Sequence, residues 1–264
     1  LTPAGIRANQ ALRLAELPPG AWPCNTLGNH DTPRMWDRYG NGRHNATLAR
    51  LHAALVLTLK GTPFLYNGEE IGMTDLVLTG LDQMRDTTAV ARYLRQVQKQ
   101  GVSPQAALQE AIATTRDRCR SPFQWQDAPN AGFCPPQTAP WLPVNGNHAA
   151  GVNVAAQEHD PTSLLNFYRR LIRLRQNTPA LVAGEYHAIH QHSEPYLAFL
   201  RHDPDTAQTC LVALNFSPDA QNLAFDPGSR QPRILFSSAA RAGHPLDLEQ
   251  FILTPFEILI AELV

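Results

Sequence analysis

Two short apolar runs, AWPCNTL at 21–27 and TPFLY at 62–66, flank a helical stretch, NATLARLHAALVLTLKG at 45–61. This order constrains the chain more than any other feature. Strand, helix, strand predicts parallel pairing, because parallel strands need a long crossover between them. Each strand runs into a polar loop, GNHDTPR after the first and NGEEIG after the second. In α/β folds, loops at the C-terminal ends of parallel strands are where ligands gather.

The flanking segments read by their punctuation. Thr2-Pro3 ahead of AGIRANQALRLAEL predicts a capped helix with Pro at its first position, closing at Pro18-Pro19-Gly20. Gly61 stands where a C-terminal cap belongs for the crossover helix. Helices are expected over Thr87 to Gln100 and Pro104 to Thr114, followed by a long Pro/Asn/Gly-rich stretch, RDRCRSPFQWQDAPNAGFCPPQTAPWLPVNGN. Loops of that length inside a domain usually form lids or binding loops. DPTSLLNFYRRLIRLRQNTP then predicts a helix capped by Asp160 or Ser163, with Leu164, Tyr168, Leu171 and Leu174 along one face. Beyond Pro179, short alternating runs separated by turn residues predict a small antiparallel β-sandwich.

Charge and cysteine usage exclude several classes. With 22 basic and 23 acidic residues and no Lys/Arg tract, a nucleic-acid surface lacks electrostatic support. The longest apolar segment, around 51–59, is too short to span a bilayer. Cys24, Cys119, Cys134 and Cys210 are scattered without a Cys-x-x-Cys pair. A reducing cytoplasm is therefore the simpler reading, with neither a disulfide framework nor a zinc site. No metal or cofactor is expected.

Three groups of residues could carry chemistry. Asn29-His30-Asp31 would project into the crevice at the first strand's end, or Asp31 could simply cap the loop ahead of Pro33. The residues alone support both equally. Arg116, Arg118 and Arg120, with Trp125 behind them, suit a carbohydrate site, since guanidinium forks bind hydroxyls and carboxylates and an indole stacks on a sugar ring. A loop anchored by salt bridges to Asp117 and Asp127 is the plainer alternative. Glu69-Glu70 could do acid–base work, but capping the next turn and binding an Arg explains them more simply.

In order, NTLGNHDTPR, KGTPFLYNGEEIGM, RDRCRSPFQWQDAPNAGF, PWLPVN and SLLNFYRRLIRLR with NTPAL resemble the C-terminal part of an α-amylase-superfamily glycoside hydrolase. The branch most resembled is that of the α-glucosidases and oligo-1,6-glucosidases, and the matching stretches span almost all of the chain. The resemblance implies an α/β fold, the C-terminal part of a (β/α)8 TIM barrel with strands 7 and 8, followed by an antiparallel β-sandwich domain. Residues 1–180 would be the barrel part, 74–158 an insertion shaping the substrate pocket, and 181–264 the sandwich. It further implies that Asp31 is a catalytic carboxylate stabilising the oxocarbenium-like transition state. His30 and Arg116 would be substrate-binding, His30 donating to a ring hydroxyl and Arg116 orienting Asp31 or a hydroxyl.

Retaining hydrolysis also needs a nucleophile and a protonated acid about 5 Å apart. In the family these lie on strands four and five, with an Arg two residues before the nucleophile, and this sequence has neither that Arg-x-Asp element on a strand nor an acid Glu after it. The expectation is therefore a chain packed against a missing N-terminal barrel portion that supplies both, acting on α-glucosides such as maltose, isomaltose or sucrose. A transglucosylase or sucrose isomerase is the alternative within the family. Asn67, where relatives often carry Gln, leaves the linkage preference open. A non-catalytic sugar-binding or interaction relative is the alternative outside it. This polypeptide alone is expected to be inactive, and hydrolysis by the purified chain, intact by mass, would contradict that.

Overall fold

The computed structural model describes residues 1–18, 20–239, 241 and 246–264. In chain order the first elements are α1 Pro3–Glu16, β1 Cys24–Asn25, α2 Met35–Tyr39, α3 Asn45–Thr58 and β2 Thr62–Pro63. Next come α4 Thr87–Gln100, α5 Pro104–Thr114, α6 Val154–Glu158, α7 Leu164–Gln176 and α8 Pro179–Val182. The strands that follow are β3 Glu185–Ile189, β4 Tyr196–His202, β5 Thr209–Asn215, β6 Gln221–Leu223, β7 Pro232–Ser237, β8 Phe251–Leu253 and β9 Ile258–Leu263. The chain forms two compact units, one of Leu1–Thr26, His44–Phe64 and Tyr168–Val264, the other of Leu27–Arg43 and Leu65–Phe167.

In the first unit, α1 starts as its sequence dictates: Thr2 Oγ1 accepts from Gly5 N at 3.2 Å and Pro3 opens the helix. The helix ends at Glu16, ahead of Pro18; Pro19 lies outside the described residues. Strands β1 and β2 pair in parallel, Cys24 opposite Thr62 and Asn25 opposite Pro63. Both are much shorter than the apolar runs that contain them. Pro23 and Pro63 carry no N–H, so neither can donate to a ladder. Helix α3 ends at Thr58, three residues before Gly61, which is therefore not its cap. Gly61 instead has φ +129°, and a Cβ there would meet the Pro23 carbonyl oxygen at 2.7 Å. Glycine is needed for close backbone approach between the two strands.

Five antiparallel strands form a sheet in the order β3-β4-β5-β9-β7, and β6 pairs with β8 in a second sheet. Leu211, Ala213, Leu259 and Leu263 of the first share one core with Leu223, Phe251 and Leu253 of the second. The opposite face of the large sheet is covered too, because α1, α3 and α8 pack on β4 and β5. Strand β5 is accordingly buried at every position rather than alternating.

Two guanidiniums tie these layers together. Arg201, fully buried, donates from Nη1 to the Thr58 carbonyl and from Nη2 to that of Gly184, the latter at 2.8 Å. Arg175 donates to the Leu57 and Gly61 carbonyls at 2.7 and 2.8 Å. Burial, with Arg175 as a smaller contribution, pushes Arg201 down to about 9.

The second unit is built from local signals. Asp86 caps α4 by accepting from Thr88 N at 3.1 Å, and Gly101 ends it with φ +68°. Ser103 caps α5 with Pro104 behind it. Ala89 and Ala111 of this hairpin pack with Leu76, Leu78, Met84 and Leu142. The long loop is pinned from inside: the Gln124 side chain, wholly buried, donates to Asn147 Oδ1 at 2.8 Å and to the Val152 carbonyl at 2.6 Å. Ser163 rather than Asp160 caps α7, accepting from Asn166 N at 3.2 Å. On that helix Leu164, Tyr168 and Leu171 are buried, whereas Leu174 is half-buried and Arg175 is inside. The cysteines are all free.

Arg201→Met is expected to destabilise the protein by about 2–4 kcal/mol, because it removes charge-assisted hydrogen bonds and strands two buried carbonyls. Urea unfolding measures it, and a loss below about 1 kcal/mol would contradict the role assigned to this guanidinium.

Candidate active site

The loop that follows β1 is shaped by its own side chains. Asn29 Oδ1 accepts from Asp31 N at 2.8 Å, an Asx turn that sets the direction of Asp31. Asp31 Oδ1 accepts from Arg116 Nη1 at 3.2 Å and from Arg120 Nη2 at 3.0 Å. Arg120 Nε also donates to the His30 carbonyl at 2.8 Å, and His30 Nε2 lies 3.3 Å from Asp31 Oδ2. The side chains of His30 and Asp31 are 68% and 50% exposed, so this braced pair is open to a ligand. The structure thus brings His30, Asp31 and Arg116 together, and adds Arg120.

The arginines come from one 3-10 turn, Arg116–Arg120, whose start is capped by Thr115 Oγ1 accepting from Asp117 N at 3.2 Å. Arg116 and Arg120 both reach Asp31, while Arg118 Nη2 meets Asp75 Oδ2 at 3.1 Å. Asp75 is fixed in turn, Oδ1 accepting from Arg34 N at 2.8 Å. The expected anchors differ from those observed. Asp117 is buried and accepts from the backbone N–H groups of Arg85 and Asp86, at 2.6 and 2.7 Å. Asp127 faces His148 Nδ1 at 3.4 Å. The guanidiniums take Asp31, Asp75 and Asp86 instead. Arg116 donates from Nε and Nη2 to Asp86 at 2.9 and 2.8 Å, and that pair holds Asp86 well below the usual carboxylate range.

A cavity of about 110 Å³ lies behind Asp31, lined by Thr32, Asp75, Arg116, Arg118 and Cys119 among others. Trp125 is exposed and packs beside Phe123, ring centroids 4.7 Å apart. Asp86 and the role of Arg120 escaped the sequence reading. In sequence Arg120 shows only as one of three clustered arginines, and Asp86 only as a helix cap.

Glu69 and Glu70 do different work. Glu70 Oε2 caps its turn by accepting from Gly68 N at 2.7 Å. Glu69 is buried, and a Cβ on Gly28 would sit 2.1 Å from its Oε1, so only glycine fits there. That oxygen has no hydrogen-bond partner among the described residues, and burial raises the carboxyl to about 7. The buried Arg34 guanidinium, which donates to the Asn67 carbonyl at 2.9 Å, opposes that rise. Among the described residues no cluster of His, Cys, Asp and Glu is arranged to hold a metal ion. An exposed carboxylate and imidazole on a rigid loop can accept from and donate to adjacent hydroxyl groups.

The family description "Alpha amylase, catalytic domain" matches residues 8–184. The chain is 35% identical over 192 residues to probable oligo-1,6-glucosidase 2 of Bacillus subtilis (strain 168), covering 72% of this chain and 33% of that protein. It is 31% identical over 248 residues to the oligo-1,6-glucosidase of Bacillus cereus, covering 92% and 43%. Among solved structures, trehalulose synthase MutB from Pseudomonas mesoacidophila MX-45 superposes with a TM-score of 0.82 at 30% identity, over 100% of this chain and 47% of that one. The chain thus spans between a third and a half of the length of these relatives.

The raised Glu69 carboxyl makes a signed prediction. A folded-state value above the unfolded one contributes stability that is complete below 4.5 and is lost as pH rises through about 7. Glu69→Gln is therefore expected to be near neutral at pH 4.5 and to exceed the parent by roughly 3 kcal/mol at pH 8. Urea unfolding at the two pH values tests this, and a pH-independent gap between the variants would contradict it.

Proposed function

This chain belongs to the alpha-amylase family, and on that premise we propose that it is part of a retaining α-glucoside hydrolase for short substrates such as maltose, isomaltose or sucrose. The observation that carries the reading is the exposed His30–Asp31 pair braced by Arg116 and Arg120. In this reading β1 and β2 lie in barrel strands seven and eight of residues 1–180. Residues 74–158 shape the substrate pocket, and 181–264 form the β-sandwich domain. We place the enzyme in a reducing, cytoplasmic setting, following the scattered cysteines of the sequence.

Asp31 accepts from two neighbouring hydroxyls of the ring at the cleaved bond, and His30 donates to one of them. As the ring flattens and gains positive charge, its hydroxyls become stronger donors, so these bonds tighten in the transition state and lower the barrier. The carboxylate also lies close to the forming oxocarbenium ion, whose charge it stabilises. Arg116 and Arg120 keep the carboxylate from turning away. We assign the nucleophile and the general acid to barrel strands that this chain does not carry, so the full active site needs both portions.

The likeness to a trehalulose synthase favours a second reading, glucosyl transfer or sucrose isomerisation. Both outcomes pass through the same glycosyl-enzyme and differ in whether water or a sugar reaches it. Product analysis on maltose, isomaltose and sucrose separates them.

In the complete enzyme, Asp31→Ala is expected to lower kcat by about 100- to 1000-fold or more while circular dichroism stays parental. Near-parental turnover would contradict the role given to Asp31, whereas a parent without turnover would support a sugar-binding relative without catalysis.

A further inference from the structure

We propose that Asp86 is a positioning residue for this sugar site: it grips one edge of Arg116 and neutralises it, so that Arg116 steadies Asp31 without cancelling its charge. The inference rests on the function proposed above for Asp31.

The guanidinium of Arg116 has two usable edges. The edge formed by Nε and Nη2 is committed to Asp86, at 2.9 and 2.8 Å, in the fork arrangement that gives carboxylate pairs their directionality. Arg116 N adds a third bond to Asp86 Oδ2 at 3.1 Å. Only Nη1 remains for Asp31, at 3.2 Å. The side chain of Asp86 is 3% exposed against 50% for Asp31, so the inner carboxylate is shielded from water and the outer one is screened by it.

Asp86 is itself held. Its Oδ1 caps α4 through Thr88 N at 3.1 Å, and its own N–H donates to Asp117 Oδ2 at 2.7 Å. Position therefore passes from a buried carboxylate to Arg116 and from Arg116 to an exposed one.

The charges make the second half of the argument. An unpaired guanidinium beside Asp31 would oppose an oxocarbenium ion and could close on Asp31 with both edges. It would then occupy the lone pairs that sugar hydroxyls need. Paired with Asp86, Arg116 is locally neutral, so of the two guanidiniums on Asp31 only Arg120 draws on its charge.

The test uses the complete enzyme and Asp86→Asn, which keeps the size and capping oxygen of aspartate but removes its charge. Expected are a fall in kcat/KM of roughly 100-fold, carried mostly by kcat, a circular dichroism spectrum that stays parental, and a crystal structure with Arg116 swung toward Asp31. In an Arg116→Met background, Asp86→Asn is expected to cost nothing further. Parental kcat/KM, an unmoved Arg116, or an equal loss in the Arg116→Met background would each overturn the proposal. If Asp86→Asn does not fold, Asp86→Ser, a second residue competent to cap, takes its place in each comparison. Asp31→Ala separates the two levels. Parental activity in that variant sinks the functional reading, whereas an inactive Asp31→Ala beside a fully active Asp86→Asn sinks only this inference.

Discussion

Helix α3 ends in the interior, where the carbonyls of its last turn have no water to bond, and the first unit is organised around meeting that need. Arg175 reaches the Leu57 carbonyl and Arg201 that of Thr58, and the same guanidiniums hold Gly61 ahead of β2 and Gly184 ahead of β3. Cations at a helix C-terminus are also favoured by the helix dipole. Neither arginine has a carboxylate in ion-pair reach among the described residues, so backbone dipoles carry the compensation that buried charge requires. One device therefore terminates a helix, places a strand and joins helices to a sheet.

In the second unit the same kind of reasoning sorts the carboxylates by burial. Asp75, Asp86 and Asp117 are nearly inaccessible and serve as anchors for guanidiniums and backbone N–H groups. Asp31 takes Arg116, which it shares with Asp86, together with Arg120, but remains half exposed, its second oxygen facing His30. Glu69 differs, since one oxygen of its buried carboxyl has neither a hydrogen bond nor an ion pair among the described residues, and burial raises its protonation range. Identical chemical groups thus divide into scaffold and site according to what surrounds them.

Local signals were read well where local physics governs. The limits of α4 and α5 and the start of α1 match the sequence reading, because capping oxygens, Pro and Gly act within a few residues. The parallel strands are shorter than their apolar runs suggest, since a strand exists only where a partner pairs with it and Pro23 and Pro63 restrict that pairing. Gly61 was assigned to a helix cap when its purpose is contact with the Pro23 carbonyl, a neighbour far away in sequence. Strand β5 was expected to alternate, but helices cover its second face.

By itself the sequence determined the helix ends, the strand–helix–strand order and the motifs that relate the chain to its family, all of which depend on short-range chemistry. Only the tertiary structure decided which charges meet. Asp86 and Arg116 are 30 positions apart, and Asp31 is separated from Arg116 by 85 and from Arg120 by 89. No spacing rule spans such intervals. An ion pair between distant residues forms only after packing has fixed both backbones, and packing is a property of the whole fold.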